Sequence, residues 1–139
     1  MVKMKISVAH SYQKKFSAGQ RFKSFTCAWS GIKSVLKNEH NTWIHLFLTI
    51  TAMALGIALK LVTAEWAALI IVIAMVWMAE LFNTCIEKIM DFLSIDYHPQ
   101  IKLIKDMAAA AVLIASIAAL VVGAIIFIPK IINHVPFSI

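Results

Sequence analysis

Residues 66–93 read WAALIIVIAMVWMAELFNTCIEKIMDFL, a stretch that is apolar enough to cross a membrane and yet carries acidic side chains. Glu80 and Glu87 lie seven residues apart, with Asn83 between them, and Asp91 extends the series. At 3.6 residues per turn, seven steps return the second glutamate to within about 20° of the first, roughly 10 Å further along the helix. Because ionised carboxylates at that depth are costly, this face predicts a functional site, and a divalent metal is the economical way to neutralise it.

The composition is typical of a polytopic membrane protein. Hydrophobic residues make up 61% of the 139 positions and charged residues only 14%. A membrane-spanning helix needs about 20 apolar residues, so we expect three spans, at about 42–60, 65–93 and 101–130. Short polar joints at about 60–65 and 94–100 connect them. The predicted fold class is therefore an all-α integral membrane protein, with residues 16–139 forming one domain.

The segment before the first span is polar and basic. It holds eight lysines and arginines against one acid, Glu39. Residues 1–15 have no apolar periodicity and are expected to form a flexible tail. From about 16 to 39, Phe22, Phe25 and Trp29 begin an apolar row at steps of three and four, which predicts an amphipathic helix lying in the membrane interface. No part of this segment has the pattern of a cleavable signal peptide, and its positive charge predicts a cytoplasmic N-terminus.

Several familiar site patterns are missing from the sequence. It contains no P-loop, no GxGxxG and no protein-kinase catalytic loop, and only four glycines, which excludes the nucleotide-binding folds of soluble enzymes. The two cysteines, Cys27 and Cys85, are both expected on the cytoplasmic half, where a structural disulfide is disfavoured. The five histidines are scattered and suggest no zinc site. No nucleic-acid partner is predicted.

Further polar residues flank the spans at the same predicted depth as the acidic face. Glu39 stands just before the first span, and Lys105 and Asp106 open the third. Taken singly, Glu39 is explained as a charge at the membrane interface. Lys105 and Asp106 are explained as a helix cap in which the lysine side chain extends towards the headgroups. Their convergence with the acidic face, from three helices at one depth, is what a metal and anion site requires.

Phosphoryl transfer is a reaction that such a site could support. It needs aligned reactants, a metal, a cation on the phosphates and a group that takes the proton of the acceptor. Magnesium is commonly held by one or two carboxylates together with substrate phosphates, a requirement that Glu39 and Glu87 meet. Lys105 could supply the cation. Glu80 lies deepest, and a carboxylate in a low-dielectric place is a better base towards a lipid hydroxyl.

These residues alone do not separate a kinase from a small ion- or proton-coupled transporter in which Glu80 and Glu87 relay protons or cations. The transporter hypothesis explains the intramembrane acids but gives no use to Lys105 and Asp106. A noncatalytic membrane scaffold gives none of the buried charges a use. The longer sequence motifs therefore have to decide.

Several short runs are shared with one known family. They are RFKSF (21–25), AWSGI (28–32), NEHN (38–41), IH (44–45), ELFNTCIE (80–87), Asp91, HP (98–99) and KDMA (105–108). Over most of the chain, and most clearly in these runs, the sequence resembles the small prokaryotic diacylglycerol kinases, a family that includes undecaprenol kinases of similar size. The FKSF and EHNxxIH runs look more like the undecaprenol kinase branch, so the lipid, diacylglycerol or undecaprenol, stays open.

The resemblance implies an ATP- and Mg-dependent lipid kinase, a homotrimer of three-span subunits in the bacterial cytoplasmic membrane with active sites shared between neighbours. At matching positions, Glu80 would be the general base, Asn83 would orient the cluster, and Glu39 and Glu87 would hold magnesium with the nucleotide. The residues that would contact ATP are Lys105, Asp106, Asp96, Tyr97 and His98, with assistance from Arg21.

Overall fold

Four α-helices make up the protein in the computed structural model, which describes residues 18–94 and 96–134. They are α1 (Ala18–Asn38), α2 (His40–Ala58), α3 (Thr63–Leu93) and α4 (Pro99–His134), and the described residues include no strand. The last three are each long and apolar enough to cross a membrane. The expected all-α integral membrane fold is confirmed. The predicted flexible tail, residues 1–15, lies outside the described residues.

The start of α4 differs from the sequence-based expectation in a way that affects the site. The helix begins at Pro99 rather than near residue 101, because the fixed φ of proline suits the first helical position and its missing N–H is not needed there. His98 Nδ1 accepts a hydrogen bond of 3.2 Å from the backbone N–H of Gln100. Lys105 and Asp106 consequently lie in the second turn of α4, so the interpretation of them as a helix cap is wrong. The other helices begin close to their expected positions, α2 at His40 and α3 at Thr63.

The apolar side of α1 remains open. Phe22 and Phe25 are 80% and 79% exposed, and Trp29 is also exposed, whereas Val35 near the end of the helix is buried. The Lys33 ammonium lies 5.9 Å from the centre of the Trp29 ring, a distance at which a cation is attracted to the ring face. An aromatic row of this kind, flanked by cations, suits a helix that lies against lipid headgroups.

Helices α3 and α4 form the most extensive pairing of the bundle. Ala108 and Ala115 of α4 are buried in it, in agreement with the expectation that small residues allow close approach of membrane helices. On α3, the buried face runs from Leu69 through Val72 and Val76 at the three- and four-residue steps of one helix side. The same face continues into buried polar residues, so the apolar packing of α3 leads directly to the candidate site.

A close contact between α2 and α3 gives a stability prediction. A Cβ added to Gly56 would lie 2.7 Å from Cη2 of Trp66, so the indole would have to move. We expect Gly56→Ala to lower the free energy of unfolding by about 1–3 kcal/mol from overpacking, reduced by the roughly 1 kcal/mol that alanine contributes to helix formation. Unfolding in mixed detergent micelles measures this change.

Gly31 on α1 provides the control, because a Cβ added there meets nothing within 4 Å. Gly31→Ala should be neutral or slightly stabilising. Equal stability of the two variants would contradict the packing described for Gly56.

Candidate active site

The predicted site residues gather at one end of the bundle, where α2 begins, α3 ends and α4 begins. The N-termini of two helices, α2 and α4, therefore face this end, and helix N-termini present backbone N–H groups and partial positive charge to anions. At the opposite end, Lys130 Nζ pairs with Glu65 Oε2 at 3.0 Å and closes α4 against α3. The two ends thus differ in kind, with a structural ion pair at one and the polar cluster at the other.

Glu80 is the most enclosed acid of the cluster, with only 3% of its side chain exposed. Its Oε2 lies 3.8 Å from Nε2 of His45 on α2. The negative charges of Glu87 and Glu39 also act on the Glu80 carboxylate, so both of these acids repel a negative charge on Glu80. A carboxylate held this deeply is suited to accept a proton from a group that approaches from the membrane side.

Asn83 lies between Glu80 and Glu87 on the same face of α3. Its Nδ2 donates a hydrogen bond of 3.3 Å to Glu87 Oε1, while its Oδ1 is buried and has no hydrogen-bond partner. The hydroxyl of Thr42, at the start of α2, is likewise buried without a partner. Because an unsatisfied buried oxygen costs about 1–3 kcal/mol, these atoms favour a site that a donor or a cation completes.

Glu39 stands between α1 and α2 and reaches α3. Its Oε1 accepts a hydrogen bond of 3.0 Å from Lys88 Nζ, which brings it next to the turn of α3 that carries Glu87. Among residues 18–94 and 96–134, no group of three or more His, Cys, Asp or Glu side chains is arranged to hold a metal ion alone. The predicted pair of Glu39 and Glu87 fits the magnesium sites in which substrate phosphates supply the remaining ligands.

A cleft of about 570 Å³ opens between the end of α3 and the start of α4, within the size range of small-molecule sites. Five residues predicted to contact ATP line it, together with one of the predicted metal ligands and several neighbours. The lining residues are Glu87, Asp91, Ser94, Asp96, Tyr97, His98, Ile101, Lys102, Lys105, Asp106 and Ala109.

Two ion pairs form among the residues that line this cleft. Lys105 Nζ donates a hydrogen bond of 2.8 Å to Asp91 Oδ1 on α3, and the charge of Glu87 acts on the same ammonium. Lys102 pairs with Asp106 one turn along α4, at 3.0 Å. The lining contains four carboxylates and two lysines, so its charge is net negative. A polyphosphate would be repelled by it unless a cation accompanied the phosphates.

The structure groups the predicted residues in two connected places. Glu39, Asn83 and Glu87 lie around the buried carboxylate of Glu80, and the residues of the joint and of α4 line the cleft. Glu87 belongs to both places. Arg21 lies on the exposed part of α1 and is not among the described residues that line the cleft. The functional roles of all these residues stay predictions.

Three contacting residues were not among the predicted site residues: His45, Lys88 and Asp91. Asp91 belongs to the acidic series of α3 and could have been included on that ground. His45 follows Glu39 and Thr42 at steps of three, which places it on the same side of α2, but periodicity does not say which acid it faces. Lys88 had no signal beyond its position next to Glu87.

Comparison with known proteins identifies the family. The family model described as prokaryotic diacylglycerol kinase matches residues 26–127. An undecaprenol kinase from Bacillus subtilis (strain 168) is 33% identical over 109 residues, which are 78% of this chain and 89% of that protein. A diacylglycerol kinase from Synechocystis sp. is 33% identical over 111 residues, which are 79% of this chain and 63% of that protein. A diacylglycerol kinase from Helicobacter pylori (strain 26695) is 33% identical over 96 residues, which are 69% of this chain and 75% of that protein. Nothing in these matches supports the transporter hypothesis.

The matched range contains α2, α3, most of α4 and every predicted site residue except Arg21. The sequence resemblance, the bundle of three membrane-spanning helices and the family match agree, and the chain belongs to the prokaryotic diacylglycerol kinase family.

Proposed function

We propose that this lipid kinase transfers the γ-phosphate of ATP to the hydroxyl of a membrane lipid alcohol, either diacylglycerol or undecaprenol. The observation that carries this proposal is the position of one buried carboxylate, Glu80, on the helix face that leads to Glu87 and to the solvent-open cleft that Glu87 and Lys105 line. Along α3, Glu80 lies seven residues from Glu87, or roughly 10 Å along the axis. The lipid alcohol would approach Glu80 from the bilayer, and the nucleotide would occupy the cleft.

The reaction follows from this arrangement. The hydroxyl oxygen of the lipid forms a bond to the γ-phosphorus while the bond between that phosphorus and the β–γ bridging oxygen breaks, which releases ADP. The hydroxyl proton passes to the carboxylate of Glu80. Asn83 holds Glu87 by its amide, and Lys105 provides positive charge at the phosphates, because positioning and charge stabilisation make up most of the catalysis of phosphoryl transfer.

Magnesium fits the donor set at this end of the bundle. Glu39 and Glu87 would hold it together with phosphate oxygens, and the unpartnered Oδ1 of Asn83 lies beside Glu87. When bound, the metal would offset the surplus of carboxylates in the cleft and spread the charge of the phosphates. Lys88, which pairs with Glu39, keeps that acid neutralised in the arrangement described here.

Removing one proposed metal ligand should change the dependence of the reaction on magnesium. For Glu87→Gln we expect the magnesium concentration that gives half-maximal rate to rise by about 10- to 100-fold, the loss that follows when a metal site is weakened. The measurement is a magnesium titration of phosphate transfer at saturating ATP. Glu65→Gln is the matched control, the same change on the same helix at the opposite end. An unchanged magnesium dependence in Glu87→Gln would contradict the assignment.

Assembly and orientation are proposed with the activity. Large apolar side chains are exposed along all three spanning helices, where lipid or neighbouring subunits would cover them. The homotrimer is proposed from the resemblance to the family alone. The eight basic residues before α2 against one acid support a cytoplasmic N-terminus in the inner membrane. The site end of the bundle, which α1 adjoins, would then face the cytoplasm, where ATP is available.

The test is magnesium-dependent transfer of labelled γ-phosphate from ATP by the purified protein in lipid. Diacylglycerol and undecaprenol are offered separately and in competition. Transfer to either supports the proposal, and the ratio of the two products names the substrate. Absence of transfer to both by folded protein would overturn it, and ion flux in liposomes without ATP consumption would favour transport instead.

A further inference from the structure

Each acid around the buried cluster has its own partner, and the partners differ in chemistry. Glu39 pairs with Lys88 at 3.0 Å, and Glu87 accepts a hydrogen bond from Asn83 at 3.3 Å. The partner of Glu80 is His45, at 3.8 Å. A lysine is a permanent cation and an amide carries no charge, whereas an imidazole can gain and lose a proton near neutral pH. The deepest acid thus has the one partner of the three that can exchange protons.

The positions of the His45 and Glu80 side chains bring these two residues together at this site. The distance of 3.8 Å lies within ion-pair range and beyond direct hydrogen-bond range, so a movement of about 0.5 Å would close it. One turn further along α2, Thr49 Oγ1 accepts a hydrogen bond of 3.1 Å from Nε1 of Trp77 on α3. This bond is a separate contact between the same two helices, next to the pair.

The side chains of Glu80 and His45 differ in how deeply they are buried. The side chain of Glu80 is 3% exposed and that of His45 is 15% exposed, so the imidazole is the more accessible of the two groups. In the proposed reaction, each turnover leaves one proton on Glu80, and this proton must depart before the next. The acids that also act on Glu80, Glu87 from α3 and Glu39 from the α1–α2 junction, already have partners of their own.

We propose that His45 is a positioning residue for Glu80, and that it also carries to solvent the proton that Glu80 takes from the lipid hydroxyl. The inference rests on the proposed function, in which Glu80 accepts that proton. The proton moves from Glu80 Oε2 to His45 Nε2 and from the imidazole to water, and no other bond is made or broken. A lysine in the place of His45 would remain protonated and could not accept this proton, which is why an imidazole fits here.

The test compares His45→Ala and His45→Gln with the wild-type protein in the phosphate-transfer assay. We expect both variants to lose about 100-fold in kcat, the size of effect that follows from misplacing a catalytic group, with the KM for ATP nearly unchanged because the nucleotide cleft is not touched. Imidazole added to the buffer should restore part of the activity of His45→Ala, since it fits the space left by the side chain. Added imidazole should leave the activity of His45→Gln unchanged, since glutamine fills that space and cannot accept or release a proton near neutral pH.

Thr49→Val is the matched control. It removes the neighbouring bond between the same two helices and leaves Glu80 and His45 in place, so its kcat should stay close to that of the wild-type protein. The inference is overturned if both His45 variants keep the wild-type kcat, if Thr49→Val loses as much as they do, or if imidazole restores nothing. A wild-type protein that transfers no phosphate to any lipid alcohol overturns the proposed function itself, a result that is distinct because it appears before any variant is made.

Discussion

Glu80→Gln should reduce phosphate transfer by a factor of about 10² to 10⁴, the range that a positioned general base contributes. Glutamine has almost the same shape as glutamate and fits the same buried space, but it cannot accept the proton of the lipid hydroxyl. The loss should appear in kcat, and the KM for ATP should change little, because Glu80 is not among the residues that line the cleft. Initial rates at saturating ATP and lipid measure the effect.

Glu65→Gln tests whether this loss belongs to the site. It makes the same change at the other end of α3, where Glu65 pairs with Lys130 and accepts a hydrogen bond of 2.8 Å from the backbone N–H of Val62. It should lower thermal stability slightly and leave kcat near the wild-type value. If Glu80→Gln kept near-normal activity, or if both variants lost activity to the same degree, the general-base role would be wrong.

Lys105→Met should produce the second large loss, expressed in the use of ATP. Methionine keeps the apolar stem of the side chain and removes the ammonium that lies 2.8 Å from Asp91 and faces the cleft. A hydrogen bond to a charged group contributes about 1.5–3 kcal/mol, so kcat/KM for ATP should fall by roughly 10- to 100-fold. The acceptor lipid should bind as before, since the lysine lines the cleft that we propose for the nucleotide.

Lys130→Met is the control on the same helix. Its ammonium pairs with Glu65 far from the cleft, and its removal should leave kcat/KM for ATP unaltered. Unchanged kinetics in Lys105→Met would mean that the nucleotide phosphates are bound elsewhere. An equal loss in both variants would point to damage to α4 in place of a contact with ATP.

Much of this fold follows from local sequence patterns. Hydropathy predicts three long apolar helices whose ends lie within a few residues of those of α2, α3 and α4, because a long apolar helix is the stable way for a chain to cross a bilayer. The acidic face of α3 is also a local property, since a helix brings Glu80, Asn83 and Glu87 to one side by its period. The hydrogen bond between Asn83 and Glu87 is therefore the contact that spacing alone anticipates.

Contacts between helices could not be predicted from local sequence patterns. Spacing within α2 and α3 does not say how the two are rotated against each other, so the pairing of His45 with Glu80 and of Lys88 with Glu39 required the structure. The position of Lys105 was set by the early start of α4 at Pro99. That start places the lysine one turn inside the helix, opposite Asp91.

Photo-crosslinking can locate the bound nucleotide on the protein. An azido-adenine analogue of ATP, bound with magnesium to the wild-type protein in lipid, is activated by light, and the labelled peptide is identified by mass spectrometry. We expect labelling of the joint that carries Tyr97 and His98, suppressed by excess ATP and weakened in Lys105→Met. Labelling confined to the opposite end of the bundle, around residues 59–62, would contradict it.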